Sequence, residues 1–194
     1  MRVKVTRYPL TIGAAAVAEL IGVSSGYLRT LRFDGVLSHR PEGKSAAAEY
    51  GPTDVATLAV FRSLTEAGLS RKGAAVLARL TGFPTARYLE HMPGVSELHS
   101  SEIDLTDAER AQCFAACDRE LPESRFCYYA IPELIEDDPR SSAVFLASLD
   151  ELEQIHPRGL LLDFKGIASE IAMRLTQPLV TYRIDSVSEM EAQQ

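Results

Sequence analysis

Along residues 11–21 the apolar positions Val17, Leu20 and Ile21 recur at helical spacing among alanines, and the run stops at Gly22, a residue able to take positive φ. The pattern predicts a helix. Two residues on, the Ser24 hydroxyl suits the N-cap of a second helix over 25–34, in which Leu28 and Leu31 face inward. Gly35 ends that helix, and Val36 and Leu37 close the core behind it. Two short helices joined by a Gly-Val-Ser turn are the outline of a helix-turn-helix. Residues 38–54 contain Pro41, Gly43, Gly51 and Pro52 and read as a turn or hairpin. A third helix is expected from an N-cap at Thr53, with Val55, Leu58, Phe61 and Leu64 as its core stripe and Gly68 as its end. A fourth should cover 71–80.

Beyond residue 80 the pattern changes. Thr81-Gly82-Phe83-Pro84 reads as a helix break and Pro93-Gly94 as a second one, so a domain boundary is expected after residue 82. Residues 83–105 would then be a linker with a short helix at 85–91. Thr106-Asp107-Ala108-Glu109 is a capping box and opens a helix as far as Leu121, before Pro122. Strands are expected at 125–131, 142–149, 158–164 and 178–184, with a helix at 166–175 whose Ile167, Ile171 and Leu175 share a face. The expected fold class is α+β: a mostly helical unit at 1–82, then a small mixed α/β unit at 106–194.

Composition adds that 46% of residues are hydrophobic and 24% charged, with no tryptophan and no apolar run of spanning length. The first ten residues lack the apolar core of a secretion signal, so a cytoplasmic protein that does not enter membranes is expected. Charge changes the picture more. Residues 1–80 hold eleven Lys/Arg against six Asp/Glu, whereas residues 81–194 hold nine against twenty-one. The formal charge of −7 therefore conceals a basic front and an acidic remainder. Because charges are screened over about 8 Å at physiological salt, a distant acidic half need not cancel a local cationic surface.

On the second helix the outward positions are Ser24, Ser25, Gly26, Tyr27, Arg29, Thr30 and Arg32. Small residues permit close approach to a duplex, an aromatic hydroxyl adds a hydrogen-bonding tip, and guanidinium groups bind phosphate or the guanine edge. A solvated surface helix with two arginines is the competing reading. Arg40 and Lys44 on the following turn segment extend the cationic set.

The order of the pieces carries a family resemblance. Val17-Ala18, Gly22-Val23-Ser24, Leu28-Arg29, Gly35-Val36-Leu37, Tyr50, Asp54-Val55 and Gly68-Leu69-Ser70 succeed one another over residues 17–80 in a way that resembles the MerR family of winged helix-turn-helix transcription regulators. The resemblance implies that the helix at 25–34 enters the major groove and that Arg29 matches the family's helix arginine. It also implies a wing at 38–51 and action on double-stranded DNA as a homodimer, with RNA polymerase or another protein as a further partner. The chain departs from the pattern in having Thr30 and Leu31 where tyrosines follow the helix arginine, and Ala48 where an arginine precedes the wing tyrosine. The expected break at 81–84 also interrupts the long coiled coil through which such regulators dimerise.

The acidic half carries no family resemblance, and it is expected to serve dimerisation or ligand sensing. Glu136-Asp137-Asp138 reads as a solvated loop or as a docking segment. Cys113, Cys117 and Cys127 could hold a soft metal or form a redox pair, or be core thiols; the latter reading is adopted, with no metal and no cofactor. Glu151, Glu153, Asp163 and Lys165 do not sit with a nucleophile, a phosphate-binding glycine loop or a zinc motif, so no enzyme is expected. Tyr128 and Tyr129 read as strand residues. A phage-type excision or recombination accessory protein is the alternative to a transcription regulator, since both use the same fold.

Overall fold

The computed structural model describes residues 2–33, 35–37, 48–100, 106, 108–109, 121–130, 143–154 and 159–187. They form a mixed α+β fold of five helices, α1 to α5, and eight strands, β1 to β8. No helix among the described residues is long and apolar enough to cross a membrane.

The front of the chain folds largely as its pattern dictates. Helix α1 (Ala14–Ile21) buries Val17, Ala18, Leu20 and Ile21 and ends at Gly22, which has φ +72°. Its start is later than expected. Ile12 and Gly13 instead form β2 (Ile12–Gly13), because the β-branched Ile12 gains a buried ladder position opposite Tyr50 and extended Gly13 is left as the N-cap. Ser24 caps α2 (Ser25–Phe33): the Tyr27 amide donates to Ser24 Oγ at 3.1 Å, and Leu28 and Leu31 are buried. Strand β3 (Glu49–Tyr50) runs antiparallel to β2.

Helix α3 (Pro52–Glu66) buries Val55, Leu58, Phe61 and Leu64 as the sequence predicts. Its N-cap is Gly51 and not Thr53. Pro52 occupies the first helical position, where its missing N–H is not needed, and the Gly51 amide donates to the Asp54 carboxylate at 3.0 Å.

The largest departure is α4 (Arg71–Glu90), which continues through Gly82-Phe83-Pro84 where a break is expected. Burial on both sides of the proline overrides its local penalty of about 3 kcal/mol: Leu77, Ala78, Ala86 and Leu89 are all in the core. Two buried threonines bond back along the same helix, Thr81 to the Leu77 carbonyl and Thr85 to the Thr81 carbonyl, each at 2.8 Å. Glycine at position 82 has a packing reason, because a Cβ there would run into Thr57 of α3, including its backbone Cα at 3.1 Å.

Residues after α4 build two sheets. Strand β4 (Ser96–Ser100) lies parallel to β8 (Val180–Val187), and β1 (Arg2–Pro9) lies antiparallel on the other edge of β8. The order is β1-β8-β4. The second sheet has the order β6-β5-β7, with β5 (Phe126–Ala130) antiparallel to both β6 (Ala143–Leu146) and β7 (Gly159–Asp163). The strand expected at 142–149 stops at Leu146, where the Ala147 and Ser148 amides turn to the Glu151 carboxylate, each at 3.1 Å. Phe164 leaves the strand expected at 158–164 and opens α5 (Phe164–Arg174), which buries Phe164, Ala168 and Ile171.

The boundary expected after residue 82 falls inside α4, and residues 96–100, expected in a linker, form β4 in the same sheet as β1. One hydrophobic cluster runs from Ile12 to Tyr182 and draws on all five helices and both three-stranded sheets. Of the capping box at 106–109, the Thr106 amide donates to the Glu109 carboxylate at 2.9 Å and the Glu109 amide to Thr106 Oγ1 at 3.3 Å. The remainder of the helix expected there lies outside the described residues.

Candidate nucleic-acid interface

Helix α2 presents two unlike sides because its apolar residues are spaced for burial and its polar ones are not. Leu28 and Leu31 are 1% and 2% exposed, whereas Ser24, Ser25, Gly26, Arg29 and Thr30 are all exposed. None of the described residues covers that outward face. Thr30 Oγ1 donates to the Gly26 carbonyl at 3.2 Å, which fixes its hydroxyl on the helix surface. Tyr27 is half-buried and packs against the core cluster.

The fold brings to the Tyr27 ring a cation outside the set expected from the sequence. The Arg71 guanidinium, from the first turn of α4, lies 5.4 Å from the centroid of the Tyr27 ring, within cation–π range. Lys72 is exposed beside it in sequence. A signal for both was legible: Arg71 and Lys72 follow the N-cap Ser70, and the first turn of α4 has no acidic residue. Cations at a helix N-terminus oppose the helix dipole by about 0.3–1 kcal/mol each at low salt, a placement that an anionic partner would offset.

The remaining expected residues are less fully placed. Arg32 is in the last turn of α2. Arg40 and Lys44 lie outside the described residues, as does most of the segment 38–51; its C-terminal end is β3, paired to β2 just ahead of α1. Ala48 is half-buried against the core.

Cys113 and Cys117 lie outside the described residues. Cys127 is fully buried in β5, and burial pushes its thiol up to about 11, opposed by a hydrogen bond with Tyr129. A protonated thiol of that kind is a poor metal ligand or redox group. Tyr128 and Tyr129 are both buried, so neither ring is available for a base to stack on.

Chemically, the α2 face can place guanidinium and hydroxyl groups against an anionic, ridged surface and can approach closely at Gly26. No family model matches the sequence, and no curated protein matches it closely enough to show kinship.

Proposed function

We propose that the chain is a MerR-like, sequence-specific DNA-binding regulator of transcription that acts as a homodimer, reading the major groove with α2 and bracing the backbone with a wing at 38–51. The reading is carried by the open outward face of α2, where Ser24, Ser25, Gly26, Arg29 and Thr30 are exposed while Leu28 and Leu31 anchor the same helix in the core. A helix about 10–12 Å across matches a major groove about 12 Å wide, so a face of small and cationic residues can reach base edges. The β2–β3 pair supports the wing, since it joins the chain just before α1 to the C-terminal end of the segment 38–51. Arg71, over the Tyr27 ring, and its exposed sequence neighbour Lys72 would serve as backbone contacts.

The test selects duplexes from a random-sequence pool with the wild-type protein and measures their affinity for Arg29→Ala. Loss of a base-reading guanidinium should weaken binding more than about tenfold at moderate salt, equivalent to about 1.4 kcal/mol. Lys72→Ala should instead weaken all duplexes alike and reduce the salt dependence by about one phosphate contact. Failure of the wild-type protein to enrich any duplex, or unchanged affinity in Arg29→Ala, would overturn the assignment.

A further inference from the structure

Helix α1 has to end cleanly at Gly22 if α2 is to leave the core in a fixed direction, and the last carbonyls of any helix lack intrahelical partners. Here each finds one. The Val23 amide donates to the Ala18 carbonyl at 2.8 Å and the Gly22 amide to the Glu19 carbonyl at 3.1 Å, which is the backbone's own left-handed cap. The last two are met from outside the two-helix unit. Arg62 Nη1 of α3 donates to the Ile21 carbonyl, and Arg174 Nη1 of α5 donates to the Leu20 carbonyl at 3.5 Å.

Both guanidiniums are aimed by a second bond. Arg62 Nε donates to Glu66 at 2.6 Å, and Arg174 Nη2 to Glu170 at 2.7 Å, each pair one helical turn apart. As exposed helix pairs alone these would contribute little. Their convergence gives them a role, because a Cβ on Gly22 would stand 2.6 Å from Arg62 Nη1 and 3.8 Å from Arg174 Nη1. Glycine at position 22 therefore serves two ends: it takes φ +72°, and it lets two cations close on the negative end of α1. Both arginines line an open cleft together with Ile21, Ala59, Ile167 and Ile171.

We infer that Arg174, assisted by Arg62, is a positioning residue for the DNA-facing helix: it ties α5 to the last turn of α1, at the Leu20 carbonyl, and so fixes where the turn at 22–24 and α2 begin. Arg174 reaches across 154 positions of sequence to do so. Because α5 continues directly from β7, the link makes the placement of the β6-β5-β7 sheet felt at the start of α2. The inference rests on the reading of α2 as the DNA-facing element.

The experiment measures amide hydrogen exchange at residues 22–28, together with affinity for duplexes selected by the wild-type protein, in Arg174→Ala, Arg174→Lys and Glu170→Gln. Removing the charged donor from the Leu20 carbonyl should raise local opening at 22–28 by about tenfold in Arg174→Ala and weaken duplex binding by a similar factor. The urea midpoint should stay near that of the wild type. Arg174→Lys keeps one donor and should recover part of both effects, and Glu170→Gln should change exchange less than Arg174→Ala. Exchange at 22–28 unaltered in Arg174→Ala, or raised exchange with undiminished duplex affinity, would overturn the inference. Absence of duplex binding by the wild type strikes the DNA reading instead, and the exchange measurement then decides the tie between α5 and the turn by itself.

Discussion

Cys127 shows how far a single side chain's surroundings decide its chemistry. Cys127 and Tyr129 point to one face of β5 and are both 0% exposed. Burial disfavours the thiolate and puts the Cys127 pKa at about 11, and burial also raises the Tyr129 hydroxyl. A thiol raised from about 8.5 in the unfolded chain favours the folded state below pH 8.5, and that contribution disappears as the pH climbs through 11. In a Cys113→Ser/Cys117→Ser background, an aromatic disulfide reagent at pH 8 should leave Cys127 almost untouched, with about one thiol in a thousand ionised, and should titrate it fully in guanidinium. Rapid labelling of the native protein would mean that the thiol is open to solvent. The sequence suggested a core thiol through its apolar company alone. At the candidate interface the single residues were equally legible: Ser24 caps and Leu28 and Leu31 are buried, each for a reason contained within a few positions. For Arg71 the sequence shows only a cation at the start of a helix; its approach to Tyr27 depends on how α4 meets α2.

Elements were legible where their signals are local. Gly22 and Ser24 mark the turn between α1 and α2, Ser70 caps α4 with the Gly73 amide donating to it at 3.2 Å, and the strands of the second sheet fall close to the expected apolar runs. Gly82 and Pro84 misled because their usual meaning is local and their role here is not. At Gly82 α4 packs directly on Thr57 of α3, so the residue that reads as a helix breaker is a contact point between helices. Gly82→Ala puts two effects in opposition. Alanine favours the helix by about 1 kcal/mol, while overpacking against a neighbour that cannot yield costs about 3 kcal/mol at the upper end. Thr57 cannot readily yield: it is buried, its Oγ1 is held by the Thr53 carbonyl at 2.8 Å, and its Cα is part of the obstruction. Gly82→Ala should therefore lose about 2 kcal/mol in urea unfolding, or roughly 4–8 °C in Tm. Adding Thr57→Ala should restore part of the loss, and additive effects of the two substitutions would show that they do not meet.

At the scale of the molecule, the two-unit division suggested by charge gives way to one shared sheet, β1-β8-β4, and a common core, and the reason lies in pairings that no local pattern contains. Residues 2–9 hold no distinctive motif, yet they form the edge strand beside β8, and the two strands match from Arg2 opposite Val187 to Pro9 opposite Val180. A polar network seals this closure. Glu90, at the end of α4, has a side chain only 3% exposed and receives two hydrogen bonds from Arg7 of β1. Tyr182 of β8 adds its hydroxyl at 3.3 Å, and Arg87 lies 3.5 Å away. The Arg7 guanidinium is held more firmly protonated by its hydrogen bonds to Glu90, against the opposing effect of burial. Removing one partner of such a pair strands a charge that water reaches poorly, whereas replacing both with apolar groups need not be harmful. Arg7 is itself 37% exposed, which lowers the expected effect below that of a fully buried pair. Arg7→Ala should accordingly destabilise the fold by about 2 kcal/mol and speed amide exchange along β1, while Arg7→Met with Glu90→Leu should recover most of the loss. Since α2 lies outside this network, the proposed DNA-binding function implies that the folded fraction of Arg7→Ala keeps whatever duplex affinity the wild type has. A change of less than about 0.5 kcal/mol in Arg7→Ala would place the stability of the β1–β8 closure in its ladder and apolar face, with the network contributing orientation only.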